Sequence, residues 1–550
     1  MKKIILGALL LASSGVFAQG IMGGHVTGNI QFDGQISRQD STIGASDVPE
    51  NLLMNARADV LYANGNFSAG LRFEAYQNPL LGFDPKYTGQ GIANYFVSYQ
   101  GEKLGVTLGH FYEQFGSGMI LRTYEDRYLG IDNALFGFSV NYRPVNGVTI
   151  KGLVGKQRMF WTMGNGIVRG IDAEVNLNSV IKAMDNSKLR VSLGAGFVSK
   201  YEDDATITFP EDPNYKLALP LNVGAGSARI DVNYGRFGFQ AEYARKGQDP
   251  NLMNDYIYRK GEALMLNASY SQKGFSANVQ AKRVDNMAFK SERGVGREML
   301  YINYIPAITK QHTYAFLSMY PYATQTTGEM GLMGDVMYTI PKETVLGGKY
   351  GTDIHLNSAI ITGLKTETVG GSGTEGYTSD FFGIGGLYYG DASLEIAHKF
   401  SPAVKATCTY GYVVFNPIVE NHEGELHHNN VLVGDVTWKV NKKNVLRFEA
   451  EWMGSDSKYT KEIDDKRAGD WIMGLVEYNF AKNWFVSLSD QYAYKDGIGN
   501  YYNLSVGYTH NATRLQVGYG KQREGLLCIG GVCRTVPASN GLTVSLTTSF

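Results

Sequence analysis

The chain has 550 residues, with 51 lysines and arginines against 52 aspartates and glutamates, a formal net charge of −1, and 3 cysteines. A near-neutral chain without basic clusters excludes a nucleic-acid binder, and three cysteines exclude a disulfide scaffold or several zinc sites. The 67 glycines, 36 tyrosines and 26 phenylalanines beside only 14 prolines point away from a string of soluble domains and towards one very large β structure.

Met1 to Ala18 reads as a secretory signal peptide: Lys2 and Lys3 are the basic start, Ile4 to Ala12 the apolar stretch, and Val16-Phe17-Ala18 the small-residue cleavage site. The apolar run is too short to span a bilayer as a helix. The expected division is a leader over 1–18 and one domain over 19–550, with the first strand starting near His25. That start leaves no room for the large N-terminal plug domain of a TonB-dependent receptor.

From there to the end, apolar and polar residues alternate with period two, the mark of strands with unlike faces. Phe67, Ala69, Leu71, Phe73 and Ala75 alternate with Ser68, Gly70, Arg72 and Glu74. Leu446, Phe448, Ala450 and Trp452 alternate with Arg447, Glu449 and Glu451. A soluble sandwich turns its apolar face inward, whereas a membrane barrel turns it to lipid and its polar face to the lumen.

The connections settle the choice. Twelve tight turns are predicted, at 64–65, 101–102, 144–147, 185–187, 235–236, 273–274, 309–310, 341–342, 401–402, 441–444, 481–483 and 511–512. Longer polar segments such as 113–133, 200–221, 363–379, 415–428 and 523–541 separate them. Short turns at one end and long loops at the other are the outer-membrane pattern. With both termini at the turn end, twelve turns predict an all-β transmembrane barrel of about 26 antiparallel strands, or 24 if one pair is miscounted. Such a barrel has a radius of roughly 25 Å and a hole about 35–40 Å wide. It must be flattened, occluded by its own loops or filled by a partner.

The proposed lumen face carries both signs: Arg57, Asp59, Arg72 and Glu74 around the first hairpin, Arg229 with Asp231, and Arg447 with Glu449 and Glu451. Across the Asn64-Gly65 turn, Arg57 with Glu74 and Asp59 with Arg72 are expected as cross-strand or diagonal neighbours. The mixed charges read either as mutual neutralisation in a wet lumen or as a path for a polar solute.

Residues 109–137 are the least ordinary connection. Glu113, Gln114, Arg122, Glu125, Asp126, Arg127 and Asp132 make it polar, Met119, Ile120 and Leu121 give it an apolar core, and Gly116 and Gly118 free its backbone. It reads either as a constriction folded into the lumen or as a compact external loop. Further on, 202–214 is acidic and reads as a solvated loop. His422, Glu423, Glu425, His427 and His428 are metal-binding residue types without metal-site spacing, so no metal or cofactor is assigned. Cys528 and Cys533 frame C-I-G-G-V-C, a spacing suited to a local disulfide in an exported protein, and Cys408 reads as a small packing residue within a strand. At the end, Leu542, Val544, Leu546, Thr548 and Phe550 share one face of a strand. This resembles the aromatic-terminated last strand of bacterial outer-membrane barrels.

The block at 109–137, with N-G-V-T-I-K-G-L-V-G-K-Q-R at 146–158, resembles an uncharacterised family of outer-membrane β-barrel proteins from Bacteroidetes, labelled a domain of unknown function. That resemblance implies a fold and a location, not an activity. A weaker likeness is to alginate-export-type channels, in which Gln114, Gly116, Gly118 and Arg122 would correspond to a Gly-rich loop with an inward arginine.

The sequence therefore predicts an outer-membrane barrel of a Gram-negative bacterium, in contact with outer-membrane lipid and lipopolysaccharide. Its expected role is a loop-constricted channel for a polar solute or polymer. The alternative is a structural or assembly component of a secretion or surface complex, with a lipoprotein or periplasmic partner filling the barrel. No nucleophile elbow, phosphate loop or dinucleotide fingerprint supports an enzyme.

Overall fold

The computed structural model describes residues 23–203, 207–209, 212–296, 299–370, 374–420, 425–457, 465–495, 499–529 and 532–550. The leader expected over 1–18 lies outside the described residues. Alternating segments become 24 strands of one antiparallel sheet. In chain order these are β1 (His25–Arg38), β2 (Leu53–Asn64), β3 (Phe67–Gln77), β4 (Gly89–Gln100), β5 (Leu104–Phe111), β6 (Leu135–Tyr142), β7 (Val148–Met159) and β8 (Thr162–Asn176). Then follow β9 (Leu189–Tyr201), β10 (Asn222–Tyr234), β11 (Phe237–Lys246), β12 (Gly261–Gln272), β13 (Phe275–Asp285), β14 (Gly328–Ile340), β15 (Thr352–Thr368) and β16 (Tyr377–Lys399). The last are β17 (Val404–Phe415), β18 (His427–Asn441), β19 (Asn444–Ser455), β20 (Trp471–Phe480), β21 (Trp484–Ala493), β22 (Asn500–His510), β23 (Thr513–Gln522) and β24 (Ser539–Ser549).

Each strand pairs with the next, and β1 pairs with β24 from Asn29↔Ser549 to Arg38↔Asn540, which closes the sheet into a barrel. Closure removes the edge strands that an open sheet of this size would expose. Leu71, Phe73, Ile171, Phe197, Val279, Leu332, Phe448, Val476 and Val517 all stand exposed on the outer face. An uncovered apolar face around a closed sheet suits hydrocarbon rather than water. Beside the short turns lies a girdle of exposed rings, among them Phe67, Tyr142, Tyr234, Phe237, Tyr338, Phe400, Trp438 and Trp484, at the level where such barrels meet headgroups. No helix among the described residues is long and apolar enough to cross a membrane, and none is needed.

The strand count is the lower of the two expected values, and the difference has one cause. Residues 309–310 are not a turn between strands; they lie inside one long connection, 286–327, between β13 and β14. Eleven short connections remain at the turn end. Two of them exceed the sequence expectation: 177–188 holds a one-turn helix capped by Asn176, and 341–351 carries the isolated bridge Thr344↔Gly348.

At the opposite end, two connections turn inward. Phe115, Met119, Ile120 and Leu121 from 112–134 are fully buried, as are Met287, Phe289 and Ile302 from 286–327. They form one apolar cluster with Val168, Val198, Val223, Ala244 and Val284 of the wall. A second cluster joins Phe316, Leu317, Met319 and Tyr320 to Ile361, Val413, Val431, Met453 and Trp471. Most of these wall residues sit close to the loop-side ends of their strands. The core of this protein therefore lies inside the barrel, in its loop-side half.

Candidate functional site

The inward turn of 112–134 depends on two glycines. Gly116 has φ +53° and Gly118 φ +102°, values open to glycine and strained for other residues. A Cβ on Gly116 would lie 2.6 Å from the Glu242 carboxylate, which accepts a hydrogen bond from Ser117 N at 2.7 Å. The segment makes two tiny hairpins, Gln114–Phe115 with Leu121–Arg122 and Glu125–Asp126 with Ile131–Asp132. Small wall residues receive it: Phe115 lies against Gly170 of β8 and Ile120 against Gly196 of β9.

Charge then pins it. Arg57 and Glu74 face each other across β2–β3, as do Asp59 and Arg72, and they bond at 2.9 and 2.6 Å. From the segment, Glu125 meets Arg57 and, at 2.8 Å, Arg72. Arg127 reaches Asp59 at 3.2 Å, and Asp132 lies 3.2 Å from Arg72. Arg158 completes the cluster, 2.6 Å from Glu74 and 2.5 Å from Asp132. A β-bulge between Lys156 and Arg158 directs Gln157 and Arg158 both inward, where strict alternation would send one to lipid. Four guanidiniums thus meet four carboxylates in a neutral group. Burial alone would raise the Asp132 carboxyl, but Arg158 and Arg72 outweigh it and hold the group below the usual carboxylate range. Elsewhere on the segment, Glu113 takes Lys151 at 2.7 Å, and Asp126 accepts from the backbone of Tyr128 and Leu129.

Residues 286–327 lock onto this segment by backbone and rings. Arg122 N donates to Ile302 O, and Tyr304 N donates to Gly118 O, at 2.9 and 3.0 Å. The Arg122 guanidinium stacks over the Tyr304 ring at 4.1 Å. Farther along, Glu451 of β19 accepts from the N–H groups of Ala315 and Phe316, both at 2.9 Å, and His312 meets Asp391 at 2.9 Å. Lys282 pairs with Glu329 at 2.5 Å at the foot of the segment. The sequence reading missed this second plug, along with Arg158, Asp172, Asp435 and Glu242.

Below the plug, towards the turns, the lumen is open and polar. A cavity of about 690 Å³ is bordered by Gly116, Glu174, Arg229, Asp231 and Glu242. Arg229 turns from its strand neighbour Asp231 to grip Asp172 with both nitrogens, at 2.7 and 2.8 Å, and Glu174 at 3.1 Å. Asp231 instead accepts from the side-chain amides of Asn233 and Gln240. Arg447 meets Asp435 at 2.8 Å and also Glu449.

The remaining predicted features lie elsewhere. Cys528 and Cys533 are disulfide-bonded across a hairpin at the loop end, and Cys408 is free. His422 and Glu423 lie outside the described residues; Glu425 is exposed, His427 is buried against Tyr320 and Phe415, and His428 bonds the Tyr412 hydroxyl. Of the acidic stretch 202–214, Glu202 pairs with Arg293 at 2.8 Å, while 204–206 and 210–211 lie outside the described residues. Among the described residues no group of three or more His, Cys, Asp or Glu is arranged to hold a metal ion.

An apolar belt, an aromatic girdle, alternating short and long connections and two loops packed against the inner wall define an outer-membrane β-barrel. The chain belongs to a family of unknown function (DUF6029), matched over residues 1–550. No curated protein matches it. Among solved structures it is similar to the siderophore receptor PirA from Pseudomonas aeruginosa, at 10% identity over 96% of this chain and 80% of that one, TM-score 0.41. It is also similar to the P pilus usher (PapC) translocation pore, at 9% over 95% and 99%, TM-score 0.44, and to Pseudomonas aeruginosa OccK3 (OpdO), at 9% over 76% and 96%, TM-score 0.38. Likeness at this level says nothing of a ligand.

Proposed function

We propose that this protein is an outer-membrane channel for a polar solute, held closed at rest by segments 112–134 and 286–327. The observation that carries the reading is the neutral cluster of four arginines and four carboxylates pinning 112–134 across a lumen that is otherwise polar. A wall built only for stability needs no such group, because buried ion pairs add little over well-packed apolar residues. Dimensions support a thin plug. A 24-stranded barrel has a radius of roughly 24 Å and a free lumen area of about 1,000 Å². The two segments, about 65 residues together, fill about 8,500 Å³ at interior packing density, a layer about 8–9 Å deep. Packing of the chain's own loops against the lumen wall favours this reading over a barrel filled by a partner. The turn end, with both termini, faces the periplasm in this reading.

Planar-bilayer recording tests it. The parent should show little or no steady conductance, with brief openings. Deleting 117–128 should give steady conductance, and deleting 291–322 a larger one. Silence from both deletion variants, with the barrel still folded, would sink the channel reading.

A further inference from the structure

The buried arginines Arg57, Arg158, Arg283, Arg293 and Arg467, at most 9% exposed, each meet a carboxylate. Two half-buried arginines at the loop end, Arg523 and Arg534, have shielded guanidinium nitrogens without an acceptor among the described residues, and Arg534 borders a cavity. It projects from the loop-end hairpin Gly525–Ile529 and Val532–Val536, which the Cys528–Cys533 disulfide closes. Its guanidinium lies over the Phe83 ring at 4.2 Å. Its Nε and Nη1 are shielded from solvent and have no acceptor among the described residues. The acid on the facing segment, Asp126, spends Oδ1 on the N–H groups of Tyr128 and Leu129, at 2.9 Å each. A shielded guanidinium without an acceptor is destabilising, and a ligand that supplies the acceptor removes that cost.

Arg534 lines a cavity of about 430 Å³ at the loop-side mouth, between the β24–β1–β2 wall and segment 126–132. Phe83, Tyr87 and Tyr128 line it with rings, and Gln35 and Asn55 with amides. A few polar groups converging among rings, in a volume of this size, describe a small-molecule site. Arg57, Arg127 and Arg158 also border the cavity, but their charge is matched by the carboxylates already described. Asp33 and Asp126 border it too, but Asp33 accepts from the Gln31 amide and the Ser545 hydroxyl and Asp126 from the backbone, so Arg534 is the charged group of the lining whose N–H donors lack an acceptor among the described residues.

We propose that this cavity is a recognition site for a small organic anion, a carboxylate or a phosphate ester, held by the Arg534 guanidinium with its body between the Phe83, Tyr87 and Tyr128 rings. The fork of N–H donors suits either oxyanion bidentately. The proposal rests on the channel reading, in which the cavity is where an anionic solute is selected before it reaches the plug.

The test is calorimetric titration of the full-length protein in detergent. Benzoate and phenyl phosphate are the probes, and benzamide is the uncharged match in shape. At least one anion should bind saturably and at least tenfold tighter than benzamide. Arg534→Gln should weaken that binding at least tenfold. Arg523→Gln, two residues before that hairpin and outside the cavity lining, should leave it unchanged. Gln35→Glu, which adds a further carboxylate to the cavity border, should also weaken anion binding at least tenfold and serves if Arg534→Gln does not fold. Barrel integrity is read from heat-modifiable migration in gels. Equal binding of benzamide, parent-like binding by Arg534→Gln, or no anion bound by the parent would each overturn the site. Conductance of the same preparations separates the two ideas: anion binding without conductance in the deletion variants removes the channel reading alone, and conductance without anion binding removes the site alone.

Discussion

Replacing Arg158 by Met is the sharpest perturbation of the closed state. Arg158 is 2% exposed and sits between Glu74, fully buried, and Asp132. It donates to Glu74 at 2.6 Å, to Asp132 at 2.5 Å and to the Phe160 carbonyl at 2.8 Å. Removing one partner of a buried ion pair costs about 3–5 kcal/mol because the other charge is left uncompensated. Here the lower end applies. Glu74 keeps Arg57 at 2.9 Å, and Asp132 keeps Arg72 at 3.2 Å and the Tyr112 hydroxyl at 2.9 Å. The barrel ladder does not pass through this cluster, so the loss falls on the docking of 112–134. A change of about 3 kcal/mol moves an open–closed equilibrium by about a hundredfold. Single-channel recording should therefore show about a hundred times more open time, with heat-modifiable migration retained. The double variant Arg158→Met, Asp132→Asn leaves three arginines against three carboxylates and should restore much of the closure. Because most of the cluster is shielded, raising salt to 1 M should not reproduce the opening. Parent-like open time in a folded Arg158→Met protein would refute the assignment of this cluster as the latch.

Four further outcomes follow from the same geometry. Asp132 has a folded pKa below its unfolded value near 3.9, so its contribution is complete above about pH 4 and is lost as pH falls through the lower folded value; openings should rise only below about pH 4, and a rise near pH 6 would contradict this. Glu451→Gln keeps one acceptor of two and should loosen 312–320 by about 1–3 kcal/mol, read as faster amide exchange there than in β19. Gly116→Ala meets both positive φ and the Glu242 carboxylate and should cost roughly 2–4 kcal/mol, against roughly 1 kcal/mol for Gly65→Ala, where φ is +56° but nothing lies within 4 Å; equal melting shifts would argue against the close approach. Reducing the Cys528–Cys533 bond releases a short closed loop worth about 2 kcal/mol in chain entropy and should speed exchange across 525–536 without changing the barrel melt.

The wall was legible because lipid and water impose opposite demands on alternate residues of a strand. Leu446, Phe448 and Trp452 against Arg447, Glu449 and Glu451 state that rule directly. The plug was not legible by that rule, because a segment packed inside a barrel has neither a lipid face nor a solvent face. Met287 to Phe289, Ile302, Ile305 and Ile308 resemble pieces of strand, and Thr309–Lys310 resembles a turn between two of them. Its signature lies instead on the wall. Where a strand passes the plug, its lumen face becomes apolar and alternation fails: Tyr412-Val413-Val414-Phe415, Val431-Leu432-Val433 and Trp471-Ile472-Met473 are apolar on both faces, as strands buried on both sides are. These runs fall at the loop-side ends of β17, β18 and β20, while the turn-side ends of the same strands keep their alternation. A barrel sequence thus reports an internal plug through the depth at which its strands stop alternating. The same reasoning explains why Arg158 escaped notice, since a bulge shifts the inward face by one residue and no periodicity marks where it occurs.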